Sequence, residues 1–398
     1  MKMYLQVGWG MMGLCRDLLK LWKGAGAILS PRDLTHVQIT RLGKSVSSLG
    51  GEALIDPQCY IHASDHDRLT NHEYWQEYAS NSTFNMNGSL GWGGVLGKLA
   101  ELASESSVKR HILPGLLAKP VSDDWFDIQS AIIEEAPAHF GGEPLIATIA
   151  LSIDAVRDEN QLEAVIERAE KWDVDGFYVV VESPSSYLVE DPVWLGNVLS
   201  LCSGLRLTGK SVLVGYCNHQ MLCLASANVD VIASGTWKNV RSFGTERFNQ
   251  RAPDDIARRT LWYYSPIGLS EFKIPFMDVA KTRGVLASMQ APTSLGSMFS
   301  KSLFSGAQPS SVDWREPDAF RHYLTCLRNQ VLAARKPSFK STVDFHRTVL
   351  DDAENLLLQL RSCGVFAGDR GFWKCLDTNR SALISLENTR GGRLKRNW

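Results

Sequence analysis

Eight short apolar runs, each followed by a stretch with helical periodicity, constrain this chain more than any other feature. The runs are Tyr4–Val7, Ala27–Leu29, Ala53–Ile55, His111–Leu113, Leu145–Ala150, Phe177–Val181, Val212–Val214 and Val231–Ala233. Between them, Leu14–Leu21, Leu162–Trp172 and Trp194–Leu201 carry apolar residues at helical spacing. Strands that alternate with helices pair in parallel, because a parallel partner needs a long crossover connection. Eight such units over about 240 residues match one (β/α)8 barrel of the TIM type. The architecture says where function would sit, at the carboxyl ends of the strands, and not what that function is.

The reading divides the chain into a barrel over residues 1–300 and a helical carboxyl-terminal domain over residues 314–398. A long insertion at about 57–110 falls on the loop after the third strand, a usual place for substrate sites and lids. It holds an aromatic, histidine-rich part from Tyr60 to Tyr78, a glycine-rich part from Asn85 to Gly97, and an amphipathic helix, Leu96–Ser107. After Val240 the alternation stops. Residues Arg241–Met289 read as irregular apart from a helix around Asp255–Tyr263, and Ser300–Asp313 reads as a linker or exposed loop. Helices are expected at Phe320–Ala334, Ser341–Cys363 and near Arg380–Leu386.

At 398 residues with 44% apolar and 21% charged side chains, the composition is that of a globular enzyme with room for an appendage. A formal net charge of -1 excludes a global positive field that would draw the chain onto nucleic acid or membrane. The basic residues Arg390, Arg393, Lys395 and Arg396 read as a solvated tail. The eight cysteines form no CxxC pair. Cys15, Cys202 and Cys223 read as buried free thiols, and no signal peptide is recognisable at Met1–Val7. A cytoplasmic location without membrane contact is the expectation.

Two carboxylates at one barrel mouth can divide acid and base roles if their surroundings separate their pKa values. Asp56 and Glu182 are that pair, since each directly follows an apolar run and should be partly desolvated. Asp56 could equally be a turn aspartate before Pro57, and Glu182 an ion-pair partner. Tyr216-Cys217-Asn218-His219-Gln220 is an unusually polar turn after a strand. In it His219 is a candidate general base, with Tyr216, Asn218 and Gln220 as substrate-binding groups; a helix cap is the plainer reading of the same residues. Gln58, Tyr60 and Ser183 stand at strand ends beside the two carboxylates. Ser234, Thr236 and Arg241 follow the last strand, where barrels often cradle a phosphate. His62, Asp65, His66, Asp67 and His72 lack a recognised zinc spacing, so no metal is assigned. Trp75, Trp92 and Tyr74 could stack on a base or could be the core of the insertion. No cofactor is assigned.

The stretch Val212-Leu-Val-Gly-Tyr, Leu222-Cys-Leu-Ala, Val229-Asp230-Val-Ile-Ala and Arg241 resembles the late-barrel segment of tRNA-guanine transglycosylases and their DNA-modifying relatives. Leu54-Ile-Asp56 is similar to the strand-end aspartate that those enzymes use as general acid/base. The resemblance implies base exchange at an N-glycosidic bond through a carboxylate nucleophile, with a nucleic acid or nucleotide as substrate. The family's Asp-Gly-Gly-Phe stretch reads Asp56-Pro57-Gln58-Cys59 here, and its nucleophile would fall near Ala233, so that Asp230 or Glu182 would have to serve. The family's cysteine-rich zinc site is absent. Two further readings stand beside it: a barrel enzyme for a phosphorylated small molecule, and a non-catalytic barrel subunit that docks a protein partner through its helical carboxyl-terminal domain.

Overall fold

The computed structural model describes residues 1–80, 91–185, 187–249 and 260–398. Nine strands run parallel in one sheet: β1 (Lys2–Val7), β2 (Gly26–Leu29), β3 (Glu52–Ile55), β4 (His111–Ile112), β5 (Leu117–Ala118), β6 (Leu145–Leu151), β7 (Gly176–Val181), β8 (Ser211–Val214) and β9 (Val231–Ser234). Their order is β3-β2-β1-β9-β8-β7-β6-β4, with β5 also on β6. β4 and β5 are two halves of one barrel unit, so the sheet is an eight-unit barrel of the (β/α)8 type with helices between its strands. At the seam, the Leu117 amide donates to the Tyr60 carbonyl at 3.0 Å, which links the loop after β3 to β5. All eight apolar runs are therefore strands, each within a residue or two of its expected ends.

The helices follow the expected periodicity as well. Leu14–Leu21 lies inside the helix Met12–Trp22, Leu162–Trp172 overlaps Glu159–Glu170, and Trp194–Leu201 lies inside Pro192–Leu207. Side-chain caps fix several starts: the Asp191 carboxylate accepts from the Val193 and Trp194 amides, with Pro192 at the first helical position. In the insertion, the amphipathic helix spans Gly93–Glu105. Tyr74 and Trp75 are buried, and the Tyr74 hydroxyl donates to the Pro57 carbonyl at 2.8 Å, so these rings are core rather than a stacking surface. Residues 81–90 of the glycine-rich part lie outside the described residues.

The segment after Val240 is more regular than expected. An antiparallel hairpin pairs β10 (Trp262–Ser265) with β11 (Ser270–Lys273), and a helix follows at Ile274–Thr282. Trp262 and Tyr263, expected at the end of a helix, lie on β10; the rest of that expected helix falls mostly outside the described residues. Trp-Tyr-Tyr-Ser and Ser-Glu-Phe-Lys are aromatic strand-formers flanking the turn Pro266-Ile-Gly-Leu269, a signal that the dominant barrel pattern obscured. Helices at Glu316–Ala334, Phe339–Ser362 and Leu376–Thr389 complete the chain. The last packs on the barrel helix Pro192–Leu207, with Ser385 against Gly196. No helix among the described residues is long and apolar enough to cross a membrane.

Side chains alternate along a strand, so register fixes the barrel interior. Tyr4 faces Gly26, and the tyrosine ring fills the space that a Cβ would take there. Gln6 and Ser30 then share the interior with Asp56, Tyr178 and Gly215. Barrel interiors are usually filled by Val, Ile and Leu; the upper layer here is polar. A Cβ on Gly215 would stand 2.3 Å from the Tyr178 hydroxyl. Replacing Gly215 by Ala should therefore cost about 1–3 kcal/mol through overpacking. An unchanged denaturation midpoint would show that Tyr178 yields freely.

Candidate functional site

The carboxylate of Asp56 is 1% exposed and accepts four hydrogen bonds. Its Oδ1 takes the Tyr60 hydroxyl at 2.7 Å and the Gln58 amide at 3.1 Å. Its Oδ2 takes the hydroxyls of Tyr216 at 2.9 Å and Tyr178 at 3.1 Å. Burial disfavours the charged form and outweighs these donors, so the carboxyl pKa is pushed up to about 6. Burial, reinforced by the charge of Asp56, holds the three tyrosines well above their ordinary value. A carboxyl near 6 can hold or release a proton close to neutral pH, which general acid–base work requires.

Gln58 and Tyr216 both adopt left-handed backbone, with φ of 58° and 54°. Non-glycine residues pay for that conformation, and it tends to persist where surrounding contacts over-determine it. Here the Gln58 side-chain amide donates to the Tyr216 hydroxyl at 2.8 Å, while its carbonyl accepts the Arg32 amide at 2.8 Å. Tyr60 packs edge to face on Phe243 and Phe248, and Tyr216 on Phe243, with centroids 5.1–5.6 Å apart over this cluster. The site around Asp56 is thus closed by side chains.

The open cavity lies beside it, over the ends of β1, β2 and β9. It has a volume of about 1090 Å³ and is walled on its far side by the hairpin and by the helix Glu316–Ala334. Its lining contains six cations (Arg32, Arg68, Lys238, Arg241, Arg247, Arg370) and four carboxylates (Asp33, Asp67, Glu271, Glu316). The rings of Trp9, Trp237, Trp262 and Phe320 also line it, with Trp9 57% exposed. His66 lines it too, and burial, with help from Arg32, lowers its pKa so that the ring is neutral at pH 7.

At the back of this cavity lies a buried ionic core. Arg241 donates to Glu271 at 3.2 Å and to the Gly235 carbonyl at 2.8 Å. Its guanidinium lies 3.4 Å from the Tyr323 ring centroid. Arg370 meets the other Glu271 oxygen at 2.8 Å, and the Tyr187 hydroxyl donates to Glu271 as well. Although burial opposes ionisation, the two arginines dominate and hold the Glu271 carboxyl down to about 2.

The expected site residues do not form one constellation. Asp56, Gln58, Tyr60 and Tyr216 converge, and Thr236 and Arg241 line the cavity. Glu182 at the end of β7 accepts the Ile153 amide at 3.3 Å and the Thr245 hydroxyl at 2.8 Å, anchoring two loops. Ser183 extends that edge by donating its amide to the Phe243 carbonyl at 3.0 Å. Asn218 caps the Gln220 amide at 2.8 Å and donates to the carbonyls of Tyr187 and Arg241. Gln220 clasps both backbone groups of Val189 and bonds Asn379. His219 is fully buried among Tyr187, Tyr264, Tyr323 and Phe372, away from the mouth, and burial lowers its pKa to about 4. Ser234 pairs in register with Leu5 and so faces outward from the barrel, buried under the helices.

Asp230 lies at the opposite end of the barrel. Its carboxylate accepts the Val212 amide at 2.9 Å and pairs with Arg206 at 3.1 Å, tying the amino ends of β8 and β9. It precedes its strand rather than following it, which puts it out of reach of the mouth. Sequence reasoning placed Arg32 at a strand end and His66 in the histidine-rich cluster, but missed Gln6, Tyr178, Trp262, Glu271 and Arg370 as site groups. Gln6, a polar residue inside an apolar strand, carried a readable signal; the last three depend on how distant segments pack. Among the described residues, the His62–His72 region brings together no group of three or more possible metal ligands. His72 instead fixes the loop after β2 through the carbonyls of Pro31 and Leu34.

No family model matches this chain, and no curated protein matches it. The resemblance to tRNA-guanine transglycosylases therefore rests on its few residues alone. Among solved structures, the chain is similar to thiamine phosphate pyrophosphorylase from Pyrococcus furiosus, with 10% identity and a TM-score of 0.31 over 59% of this chain and 85% of that one. It is similar to deoxyribose phosphate aldolase from Aeropyrum pernix, with 15% identity and a TM-score of 0.32 over 55% and 87%. The carboxyl transferase domain of Rhizobium etli pyruvate carboxylase matches with 11% identity and a TM-score of 0.33 over 97% of this chain and 54% of that one. At these scores the matches carry no argument about function, and the barrel stands on its own strand order.

Proposed function

We propose that this chain is a barrel enzyme whose substrate is nucleotide-like, joining a phosphate to a planar ring. The carrying observation is the cavity at the carboxyl ends of the strands, where cations outnumber carboxylates and the exposed Trp9 and three half-buried rings stand beside them. Arg68 and Lys238 supply positive charge for a phosphate, Lys238 while paired with Asp369 at 3.5 Å, and Trp9 supplies a face for a ring, since the Trp262 ring is covered by Arg370 at 4.1 Å. The cavity, at about 1090 Å³, slightly exceeds the usual range for small-ligand sites, about 300–1,000 Å³, so a dinucleotide or a strand end is accommodated as readily as a mononucleotide. His66 is the proton-accepting group on the cavity wall, and Asp56 is the proton-holding group beneath it. Exchange at an N-glycosidic bond would draw its proton from Asp56 through the tyrosine hydroxyls that enclose it, with no help from Asp230 at the far end. Docking of a protein partner on the carboxyl-terminal helices finds less support, since those helices are committed to the barrel and to the cavity wall.

Titration of tryptophan fluorescence with uridine monophosphate, ribose 5-phosphate and inorganic phosphate tests this reading. The nucleotide should bind best, and added salt should weaken it. Lys238→Ala should weaken it about tenfold, the worth of one charge-assisted contact of about 1.5 kcal/mol. Equal affinity for all three compounds would remove the ring from the proposal, and no binding of any would sink it.

A further inference from the structure

We propose that the side-chain amide of Gln58 is an internal occupant of a recognition subsite at the top of the barrel, one that takes an amide or lactam edge. This deepens the nucleotide reading, on which it rests for the route by which a ligand arrives. The Gln58 amide is gripped at both ends, its carbonyl by the Arg32 amide and its NH2 by the Tyr216 hydroxyl oxygen, each at 2.8 Å. That arrangement offers one donor and one acceptor side by side, the complement of a C=O next to an N–H. Gln58 holds its place with φ at 58°, a conformation that resists a side chain.

A second, independent observation points to a missing ligand. The Gln6 NH2 on β1 and the Ser30 hydroxyl just past β2 are fully buried and have no hydrogen-bond partner among the described residues. Buried polar groups are normally satisfied, so each of these needs a cause. The Tyr178 hydroxyl gives its one proton to Asp56 at 3.1 Å, which leaves its oxygen as an acceptor 3.4 Å from the Gln6 side-chain amide. An entering ring would meet the Ser30 hydroxyl and the free end of the Gln6 amide. Gly215 and Gly235 bring no side chains into this layer. Arg32 belongs both to the cavity lining and to the grip on Gln58, so the cavity and the subsite share a wall. A ring entering from the cavity displaces the Gln58 amide and inherits its two partners.

The test removes the internal occupant. Gln58→Gly suits the left-handed backbone and empties the subsite. Uridine and cytidine monophosphate differ in this edge alone, since the first presents N–H beside C=O and the second does not. The variant should bind the uridine nucleotide about tenfold more tightly than wild type does, with little change for cytidine. The lactam 2-pyrrolidone should raise its melting temperature, and cyclopentanone should not. Equal shifts with both small molecules would overturn the proposal, because they report only a filled void. A folded variant with neither the nucleotide preference nor the lactam shift overturns it as well. A lactam-specific shift without nucleotide binding would keep the subsite and sink the cavity reading; nucleotide binding without either preference would do the reverse. Should the glycine variant not fold, Gln58→Ala is read in the same way. Equal affinity of Gln58→Ala for the two nucleotides, without a lactam-specific shift, then overturns the proposal.

Discussion

Replacing Glu271 by Ala should destabilise the fold by about 3–5 kcal/mol, the usual consequence of leaving a buried charge without its partner. Arg241 is the charge left behind. It is fully buried, and among the described residues Glu271 is its one carboxylate within 4 Å. Its remaining contacts, the Gly235 carbonyl, the Tyr187 hydroxyl and the Tyr323 ring, are neutral groups that cannot balance it. Arg370 would lose the same partner, yet it is partly exposed and can turn to water. Equilibrium denaturation of wild type, Glu271→Ala and Arg370→Ala therefore separates the two arginines. The first variant should be far less stable than the second, and similar losses would show that Arg241 is not the group that Glu271 protects.

Acid should weaken the protein well above the pH at which its carboxylates normally protonate. Burial holds His219, His322 and His346 each down to about 4, against an unfolded value of 6.5. A lowered histidine pKa means that unfolding takes up protons once the pH is below 6.5. The contribution is complete above 6.5 and is lost as pH falls through 4, at about 1.4 kcal/mol per unit per histidine. That is about 3 kcal/mol for each. Asp56 works the other way: its folded pKa of about 6 lies above the unfolded 3.8, so its contribution is complete below 3.8 and lost as pH rises through 6. It returns about 3 kcal/mol on acidification and offsets roughly one histidine. Between pH 7 and pH 4 the stability should fall by the equivalent of two histidines. Asp56→Asn should steepen the fall while raising stability at neutral pH. A denaturation midpoint that stays flat from pH 7 to pH 4.5 would contradict both assignments. Glu271, held near 2, enters only in stronger acid.

The barrel was legible because its signal is local and repeated. An apolar run such as Phe177–Val181 is a strand in almost any surroundings, and eight in alternation leave one architecture. Asp56 was legible for the same reason, since a carboxylate directly after a strand is aimed by that strand. What surrounds it was less so. Tyr178 reads as one more apolar residue in its run, and only the register shows that it points inward at Asp56. His219 shows the opposite failure: its polar neighbours Asn218 and Gln220 belong to a capped turn and a clasp on Val189, while its own ring is core. Asp230 sits before β9, not after it, and a shift of three residues moves a carboxylate from one end of a barrel to the other. The cavity was the hardest part to foresee, because its far wall comes from residues with no sequence relation to β1, β2 or β9.

Glu271 and Arg370 on that wall carry a consequence beyond stability. Arg32 and Arg370 face the same cavity from positions more than three hundred residues apart. No fragment of the chain that ends before residue 370 contains the cavity in full, even if its barrel closes. During synthesis the strands can pair in order as they emerge, but the place where a ligand would sit comes into being last. An incomplete chain is in this way kept from holding a ligand it could not yet enclose.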